Sequence, residues 1–279
     1  MFWENIKEAI TSISSNKMRS LLTMLGIIIG ISSVIIITTI GGSIQSTLTA
    51  TMNSLGGNMV QAYVEARYPE NDEDWATWEQ PDMTDSDYVT QDMIDGLIEK
   101  YPDEVTGVAA QNYLGSGTIK DDADSKNYAN VNIDGITPEY LEYMKLEMHA
   151  GRNLTKADNQ GKKRVCLIAD TMAERYFAGK DPIGETLSVA TTDGGIFDFV
   201  VVGVYVYNQA LFGKVDTSIP EKDRVKELMI PFQTCFKLQG VDRTGYDYFN
   251  LMIDPLADVN QATTDVLSYF DEIYKKKKN

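Results

Sequence analysis

The sequence predicts an α+β protein, in which one N-terminal transmembrane helix is followed by a mixed α/β domain outside the cytoplasm. Residues 20–40 contain no Asp, Glu, Lys, Arg or His, and the chain carries no charge between Arg19 and Glu65. From residue 59 onward, short apolar stretches rich in Val and aromatic residues alternate with amphipathic stretches, as strands and helices do in mixed folds. The 279 residues thus divide into an apolar anchor and a folded domain.

The apolar stretch is long enough to cross a bilayer. A helix rises about 1.5 Å per residue, so about 20 apolar residues cross a hydrocarbon core of about 30 Å. A signal peptide has a shorter apolar region, and its best cleavage candidate here, Leu48-Thr49-Ala50, lacks a small first residue. A buried core helix of this length normally has a polar face. We therefore favour a transmembrane helix at residues 19–42 over both alternatives.

The flanks of this helix predict its orientation. Lys7, Lys17 and Arg19 precede it, and basic residues at a membrane end favour the cytoplasmic side. Residues 1–18 have apolar side chains at helical spacing, which predicts an amphipathic helix on the cytoplasmic membrane surface, in contact with lipid; the alternative is a plain extension of the anchor. Residues 43–58 continue without charge, which predicts a stalk that extends the helix until Gly56-Gly57 end it.

The charge of the chain limits the partners of the outer domain. The net charge is −16, although residues 1–19 carry three basic and two acidic groups. An acidic exterior argues against nucleic acid, whose binding requires positive charge. It suits either a solvated surface or cationic partners such as basic peptides. Cys166 and Cys235 each lie among apolar residues, which favours buried thiols over a disulfide between them.

The residue types that catalysis requires are sparse. No phosphate-binding G-x-x-x-x-G-K-[ST] loop occurs, and the only histidine, His149, lies in a surface-like segment. Asp121, Asp122 and Asp124 resemble the start of a calcium loop, but the later ligand positions are wrong. The acidic residues of 70–87 favour a solvated loop over a weak cation site. We therefore predict no catalytic, cofactor-binding or metal-binding residue, and a chain that is not an enzyme.

Local patterns predict the elements of the outer domain. Strands are expected at 59–66, 105–119, 128–136, 163–168, 186–190, 197–207, 227–232 and 248–253. Helices are expected at 88–101, with an N-cap within Thr84–Asp87, and at 138–144, 170–177 and 255–274. Turns are expected at 121–127 and 181–184.

Six short stretches along nearly the whole chain form one pattern. They are NKMRSLLTMLGIIIGI (16–31), LGGN (55–58), DGITPEY (134–140), GRNL (151–154) with Asp158, FAGKDPIG (177–184) and VVGV (201–204). In this order and spacing they resemble the MacB-like branch of the FtsX-like permeases, the permease subunits of macrolide-exporter-type ABC transporters.

The resemblance implies an outer domain, residues 59–279, made of a porter-like part (59–115 and 211–274) and an inserted subdomain (116–210). It implies a permease dimer, an ABC-type ATPase that hydrolyses ATP in the cytoplasm, and a membrane-fusion or adaptor protein. It also implies export of peptides, including antimicrobial peptides, antibiotics or lipoproteins, driven by ATPase motion that membrane helices relay to the outer domain.

One departure from the family leaves other functions open. Permeases of this kind have three further membrane helices after the outer domain, whereas this sequence stops after Tyr274-Lys275-Lys276-Lys277-Lys278-Asn279. It therefore resembles the N-terminal part of such a permease. The alternatives are a single-pass surface sensor or binding protein, and an FtsX-like regulator of a cell-wall hydrolase.

Overall fold

A computed structural model describes residues 2–15, 17–54, 59–66, 78–79, 81–120, 127–208, 211–212 and 218–277. The chain divides into two units, Met1–Gly57 and Asn58–Asn279. The predicted Gly56-Gly57 helix stop, the turn at 121–126 and most of the acidic loop at 67–77 lie outside the described residues.

The described residues of the first unit form two helices, α1 (Phe2–Ser15) and α2 (Lys17–Ser54). Within α2, Leu21–Ile40 has a mean hydropathy of 2.5 over 20 residues, and none of it is buried inside the structure. By length and composition this segment is able to cross a membrane, where an α-helix satisfies its own backbone hydrogen bonds. Helix α2 runs for 38 residues without a break, which corresponds to about 57 Å at about 1.5 Å per residue.

The second unit contains a small antiparallel sheet with β10 (Tyr248–Ile253) at its centre, between β1 (Met59–Tyr63) and β2 (Val105–Ala109). Helices α3 (Gln91–Lys100) and α8 (Val259–Lys277) contribute apolar side chains to the core of this sheet. That core also contains a ladder of aromatic rings: Phe232, Tyr246, Phe249 and Phe270. We refer to it as the small core.

A larger sheet has the strand order β5-β8-β6-β9-β4-β3-β7. Its strands are β3 (Gln111–Lys120), β4 (Tyr128–Ile136), β5 (Met148–Gly151), β6 (Val165–Ala169), β7 (Thr186–Thr191), β8 (Ile196–Tyr205) and β9 (Lys226–Pro231). Strand β7 pairs with both β3 and β8, so the pairings form a closed ring, and β5 extends it along β8. Inward-facing Val, Ile, Leu and Phe side chains fill the large core.

The described residues of the domain also form four short α-helices: α4 (Tyr140–Tyr143), α5 (Lys156–Gln160), α6 (Asp170–Tyr176) and α7 (Phe232–Gln239). The alternation of strands and helices confirms the predicted α+β class. The strand at 128–136, the strand at 248–253 and the β7–β8 pair form as predicted. Strand β5 and helices α5 and α7 are absent from the sequence-based prediction.

Two boundary predictions were wrong, and hydrogen bonds explain both. The predicted strand 105–119 is interrupted at Ala110, whose N–H donates to Thr137 Oγ1 at 3.1 Å. The helix predicted from residue 88 begins at Gln91, because Thr90 Oγ1 accepts the Met93 N–H. Thr84 instead caps a short 3-10 turn, Asp85–Asp87.

Two further predictions placed a helix boundary incorrectly. The strand predicted through residue 232 ends at Pro231, and Phe232 is the first residue of α7. The helix predicted from Pro255 begins at Val259, after a turn in which the Asp258 carboxylate accepts the Asn260 N–H. The missing N–H of proline makes Pro231 a suitable residue at the start of a helix.

Candidate functional site

The two cysteines are buried thiols, as predicted. Both are free and 0 % exposed. Burial raises the pKa of Cys235 to about 12 and raises the pKa of Cys166 further above its ordinary value. A thiol that stays protonated at neutral pH is a poor nucleophile.

The histidine and the acidic residues do not form a metal site among the described residues. His149 is exposed on β5. The described part of the chain contains no group of three His, Cys, Asp or Glu side chains arranged to hold a metal ion. Asp121, Asp122 and Asp124 lie outside the described residues.

Three of the six family-like stretches meet at two close backbone contacts. Gly151 has a φ of +71°, and a Cβ there would lie 2.4 Å from Val202 O and 2.8 Å from Ile183 Cδ1. A Cβ on Gly203 would lie 2.3 Å from Arg152 O. Glycine is therefore required at both positions, because any side chain would push these segments apart.

Asp158 lies at the centre of a buried polar cluster beside these glycines. Its carboxylate accepts hydrogen bonds from Arg152 Nη1 at 2.6 Å, Lys163 Nζ at 3.0 Å and Thr155 Oγ1 at 2.7 Å. Its side chain is 1 % exposed, whereas those of Arg152 and Lys163 are 49 % and 52 % exposed. Burial alone would raise the pKa of Asp158, but the bonds from Arg152, Thr155 and Lys163 outweigh it and hold the pKa well below its ordinary value.

The residues next to Asp158 support helix α7. Asn159 Oδ1 accepts the Gln233 N–H at 2.8 Å, near the start of α7. Thr234 Oγ1 donates to Lys163 O at 2.9 Å. The Asp158 cluster and the first turn of α7 are thus one hydrogen-bonded assembly.

Helix α7 contributes to both hydrophobic cores. Phe232 and Phe236 belong to the small core, and Cys235 belongs to the large core. Gly135 packs so tightly against this helix that a Cβ there would lie 2.4 Å from Cys235 Cβ. We call α7, Asp158 and Asn159 the joint, because they connect the small core to the large one.

The joint is supported by a second connection between the cores. Asn153 Nδ2 donates to Pro138 O at 2.8 Å, and Thr137 Oγ1 donates to Val108 O at 3.0 Å. These bonds link two family-like stretches, 151–154 and 134–140, to strand β2 of the small sheet. The sequence marked these residues only as a pattern, and the fold gives them a shared structural role.

These features define a membrane-anchored domain with two cores, and comparisons with known proteins identify its family. The MacB-like periplasmic core domain model matches residues 20–269. The chain belongs to this family, which confirms the resemblance seen in the sequence.

The relatives are ABC transporter permeases. The chain is 32% identical over 186 residues to the uncharacterized ABC transporter permease YknZ of Bacillus subtilis, covering 66% of this chain and 43% of that protein. It is 27% identical over 266 residues to the macrolide export ATP-binding/permease protein MacB of Aggregatibacter actinomycetemcomitans, covering 94% of this chain and 36% of that protein. The chain thus spans less than half the length of these curated relatives.

A solved structure has the same fold. The periplasmic region of MacB from Actinobacillus actinomycetemcomitans superposes with a TM-score of 0.52 at 15% identity, covering 80% of this chain and 87% of that one. The family match and the apolar span of α2 together indicate a membrane protein with an outer domain of the periplasmic type.

Proposed function

We propose that the chain is the N-terminal part of the permease subunit of an ABC exporter, which relays the motion of a cytoplasmic ATPase to the outer domain. The cargo class we propose is peptides, including antimicrobial peptides, antibiotics or lipoproteins. The names of two relatives, a macrolide export protein and a probable syringafactin export protein of Pseudomonas syringae, support export as the activity.

The observation that carries the proposal is the unbroken length of α2. Its apolar part, Leu21–Ile40, matches the thickness of a bilayer. Residues 41–54 continue the same helix, which contains no proline, and add about 21 Å at about 1.5 Å per residue. A continuous helix transmits a tilt or a shift along its axis, and this one ends just before strand β1.

Within the outer domain, the joint is the second step of the proposed relay. Strand β1, the first strand after α2, belongs to the small core, as does α8. Movement of the small core reaches the large core through α7, which contributes side chains to both. We retain the proposed division into a porter-like part (59–115 and 211–274) and an inserted subdomain (116–210), with β9 pairing to β4 of the insertion.

The remaining parts of the proposal concern placement and partners. The N-terminus is in the cytoplasm, because Lys7, Lys17 and Arg19 precede the span. Helix α1, with Phe2 and Trp3 exposed, lies on the cytoplasmic membrane surface against lipid. The permease acts as a dimer with an ABC-type ATPase and a membrane-fusion or adaptor protein.

The relay is tested by breaking the helix beyond the membrane. The full-length permease and its ATPase are reconstituted, with Ser46-Thr47 replaced by Gly-Pro, because proline removes a helical hydrogen bond and kinks the helix. Ala-Ala at the same positions is the matched control. Spin labels at Lys237→Cys in both protomers report the distance between outer domains with and without ATP.

We expect ATP to change this distance in the wild type and in the Ala-Ala control, but not in the Gly-Pro variant. ATP hydrolysis remains in all three. An equal ATP-driven change in the Gly-Pro variant would refute the relay through α2.

A further inference from the structure

A surface pocket of about 500 Å³ lies between helix α6 and the segment that leads into β9. Its lining includes four cationic side chains and two anionic ones: Arg175, Lys222, Arg224, Lys226, Glu174 and Glu221. A concave surface with an excess of positive charge is unexpected on a chain whose net charge is −16. This excess attracts a small anion.

Lys226 is the most informative residue of this pocket. Its side chain is buried, with 7 % of the residue exposed, and its ammonium lies 3.7 Å from the centroid of the Tyr207 ring. Among the described residues no ion pair or hydrogen bond to this ammonium is present. Burial and the charge of Arg224 lower the pKa of Lys226, while Glu221, Glu227 and Asp170 oppose them from beyond ion-pair distance.

A second polar group in the lining also lacks a partner. Thr171 Oγ1 is buried and has no hydrogen-bond partner in the described part of the chain. The hydroxyl has almost no accessible surface, so a ligand in the open pocket does not reach it. The Lys226 ammonium and the guanidinium groups of Arg175 and Arg224 are donors, so the pocket presents donors to an acceptor-rich ligand.

Hydrogen bonds hold the β9 side of the pocket in place. The Tyr128 hydroxyl donates to the Asp223 carboxylate, and Asn130 Nδ2 donates to Asp223 O at 3.1 Å. Arg224 Nε donates to Ile219 O at 3.1 Å. The cations of this segment are therefore positioned by the sheet before any ligand binds, which reduces the entropy cost of binding.

We propose that this pocket binds a small oxyanion of the phosphate class, with the Lys226 ammonium and the guanidinium groups of Arg175 and Arg224 as donors. A phosphate carries up to two negative charges and several acceptor oxygens, which match the charge excess and the donors of the lining. The phosphate is either free or part of a lipid headgroup, and both sources share this chemistry. The inference is independent of the proposed transport function.

The test uses the full chain in a neutral detergent at constant ionic strength. Isothermal titration calorimetry measures the affinity for inorganic phosphate in the wild type and in three variants. Lys226→Met removes the ammonium of the pocket lysine, Arg175→Gln removes an exposed guanidinium, and Lys237→Gln removes an exposed cation that does not line the pocket. The melting temperature of each variant shows whether it remains folded.

We expect Lys226→Met to weaken phosphate binding at least about tenfold and Arg175→Gln about three- to tenfold, because charge-assisted bonds are strong. We expect the affinity of Lys237→Gln for phosphate to stay within about twofold of the wild-type affinity. If Lys226→Met does not fold, Arg175→Gln decides the matter, since Arg175 is exposed. No binding by the wild type, or equal binding by Arg175→Gln and Lys237→Gln, would overturn the proposal.

The same titration in nanodiscs distinguishes the two sources. Phosphate affinity that is equal in phosphatidylcholine discs with and without phosphatidylglycerol supports a free phosphate ligand. If phosphatidylglycerol in the discs weakens the apparent affinity for phosphate in the wild type but not in Arg175→Gln, a lipid headgroup in the pocket is supported.

Discussion

Replacement of Asp158 by asparagine tests whether the buried carboxylate holds the joint together. The wild-type carboxylate accepts bonds from Arg152 at 2.6 Å, Lys163 at 3.0 Å, and the N–H and hydroxyl of Thr155 at 3.0 and 2.7 Å. Asparagine has nearly the same shape but no charge and only one acceptor oxygen. The variant therefore loses the charge-assisted bonds and retains part of the capping box that Thr155 and Asp158 form at the start of α5.

The expected loss of stability follows from these contacts. Breaking a fully buried ion pair costs about 3–5 kcal/mol, because a buried charge is left unpaired. Here Arg152 and Lys163 are about half exposed, so water can solvate them after the change. We therefore expect a loss of about 2–3 kcal/mol, which lowers the melting temperature of a domain of this size by about 5–10 °C.

The buried cysteines provide the assay for this prediction. Cys166 and Cys235 are 0 % exposed in the folded chain, so a fluorogenic thiol reagent reports unfolding of the outer domain in detergent. Asp242→Asn, at an exposed aspartate, is the matched control and changes the melting temperature by less than 2 °C, since exposed substitutions usually cost below about 0.5 kcal/mol. Equal melting temperatures for Asp158→Asn and Asp242→Asn would refute the reasoning.

The difference in stability between the wild type and Asp158→Asn depends on pH in a defined direction. The pKa of Asp158 is depressed in the folded chain, so its contribution is fully present above its unfolded pKa of about 3.9 and is lost as the pH falls through the folded value. The stability gap between the wild type and Asp158→Asn is therefore constant from about pH 5 to 8 and narrows below about pH 4. Near-UV circular dichroism, which does not depend on thiol chemistry, measures the unfolding of both proteins at each pH.

Five other substitutions, two matched pairs and a single change, test three further features of the chain. Gly151→Ala places a Cβ 2.4 Å from another atom on a left-handed backbone, so we expect it to lower the free energy of unfolding by at least about 3 kcal/mol. Its control is Gly179→Ala, where φ is +86° but the surrounding space is open, and we expect a loss of about 1 kcal/mol. Thermal unfolding measures both. Thr90→Ala removes the N-cap of α3, so we expect it to lower the free energy of unfolding by about 1 kcal/mol, and Thr84→Ala to lower it by less. A larger loss for Thr84→Ala than for Thr90→Ala would contradict Thr90 as the cap of α3. Ile31→Arg, near the middle of the span, should raise the free energy of membrane insertion by about 3 kcal/mol in a glycosylation-based insertion assay, and unchanged insertion would count against a membrane span.

Local sequence signals predicted the elements whose neighbours in the chain determine them. The apolar span and the strands at 128–136 and 248–253 carry uninterrupted patterns that need no tertiary information. The helix cap was misplaced because Thr84 and Thr90 both precede the helix and both have capping chemistry. Only the structure shows which of the two hydroxyls accepts the Met93 N–H.

The joint was only partly visible in the sequence. Phe232, Cys235 and Phe236 follow the i, i+3, i+4 spacing of a helix, but Phe232 directly follows a buried strand. The predicted strand was therefore extended to Phe232, and no helix was predicted after it. Asp158 stood out as part of a family-like stretch, whereas its partner Lys163 and the role of Asn159 depend on contacts that local patterns do not show. Long-range contacts also decide that β9 pairs with β4 in the larger sheet.

Purification of the full-length permease with its neighbouring proteins tests the central claim most directly. We expect a tagged permease, extracted in mild detergent, to retain an ABC-type ATPase in fixed stoichiometry, with ATP hydrolysis that depends on the complex. A folded permease that never retains an ATPase would contradict the account and would favour a surface sensor or binding protein built on the same domain.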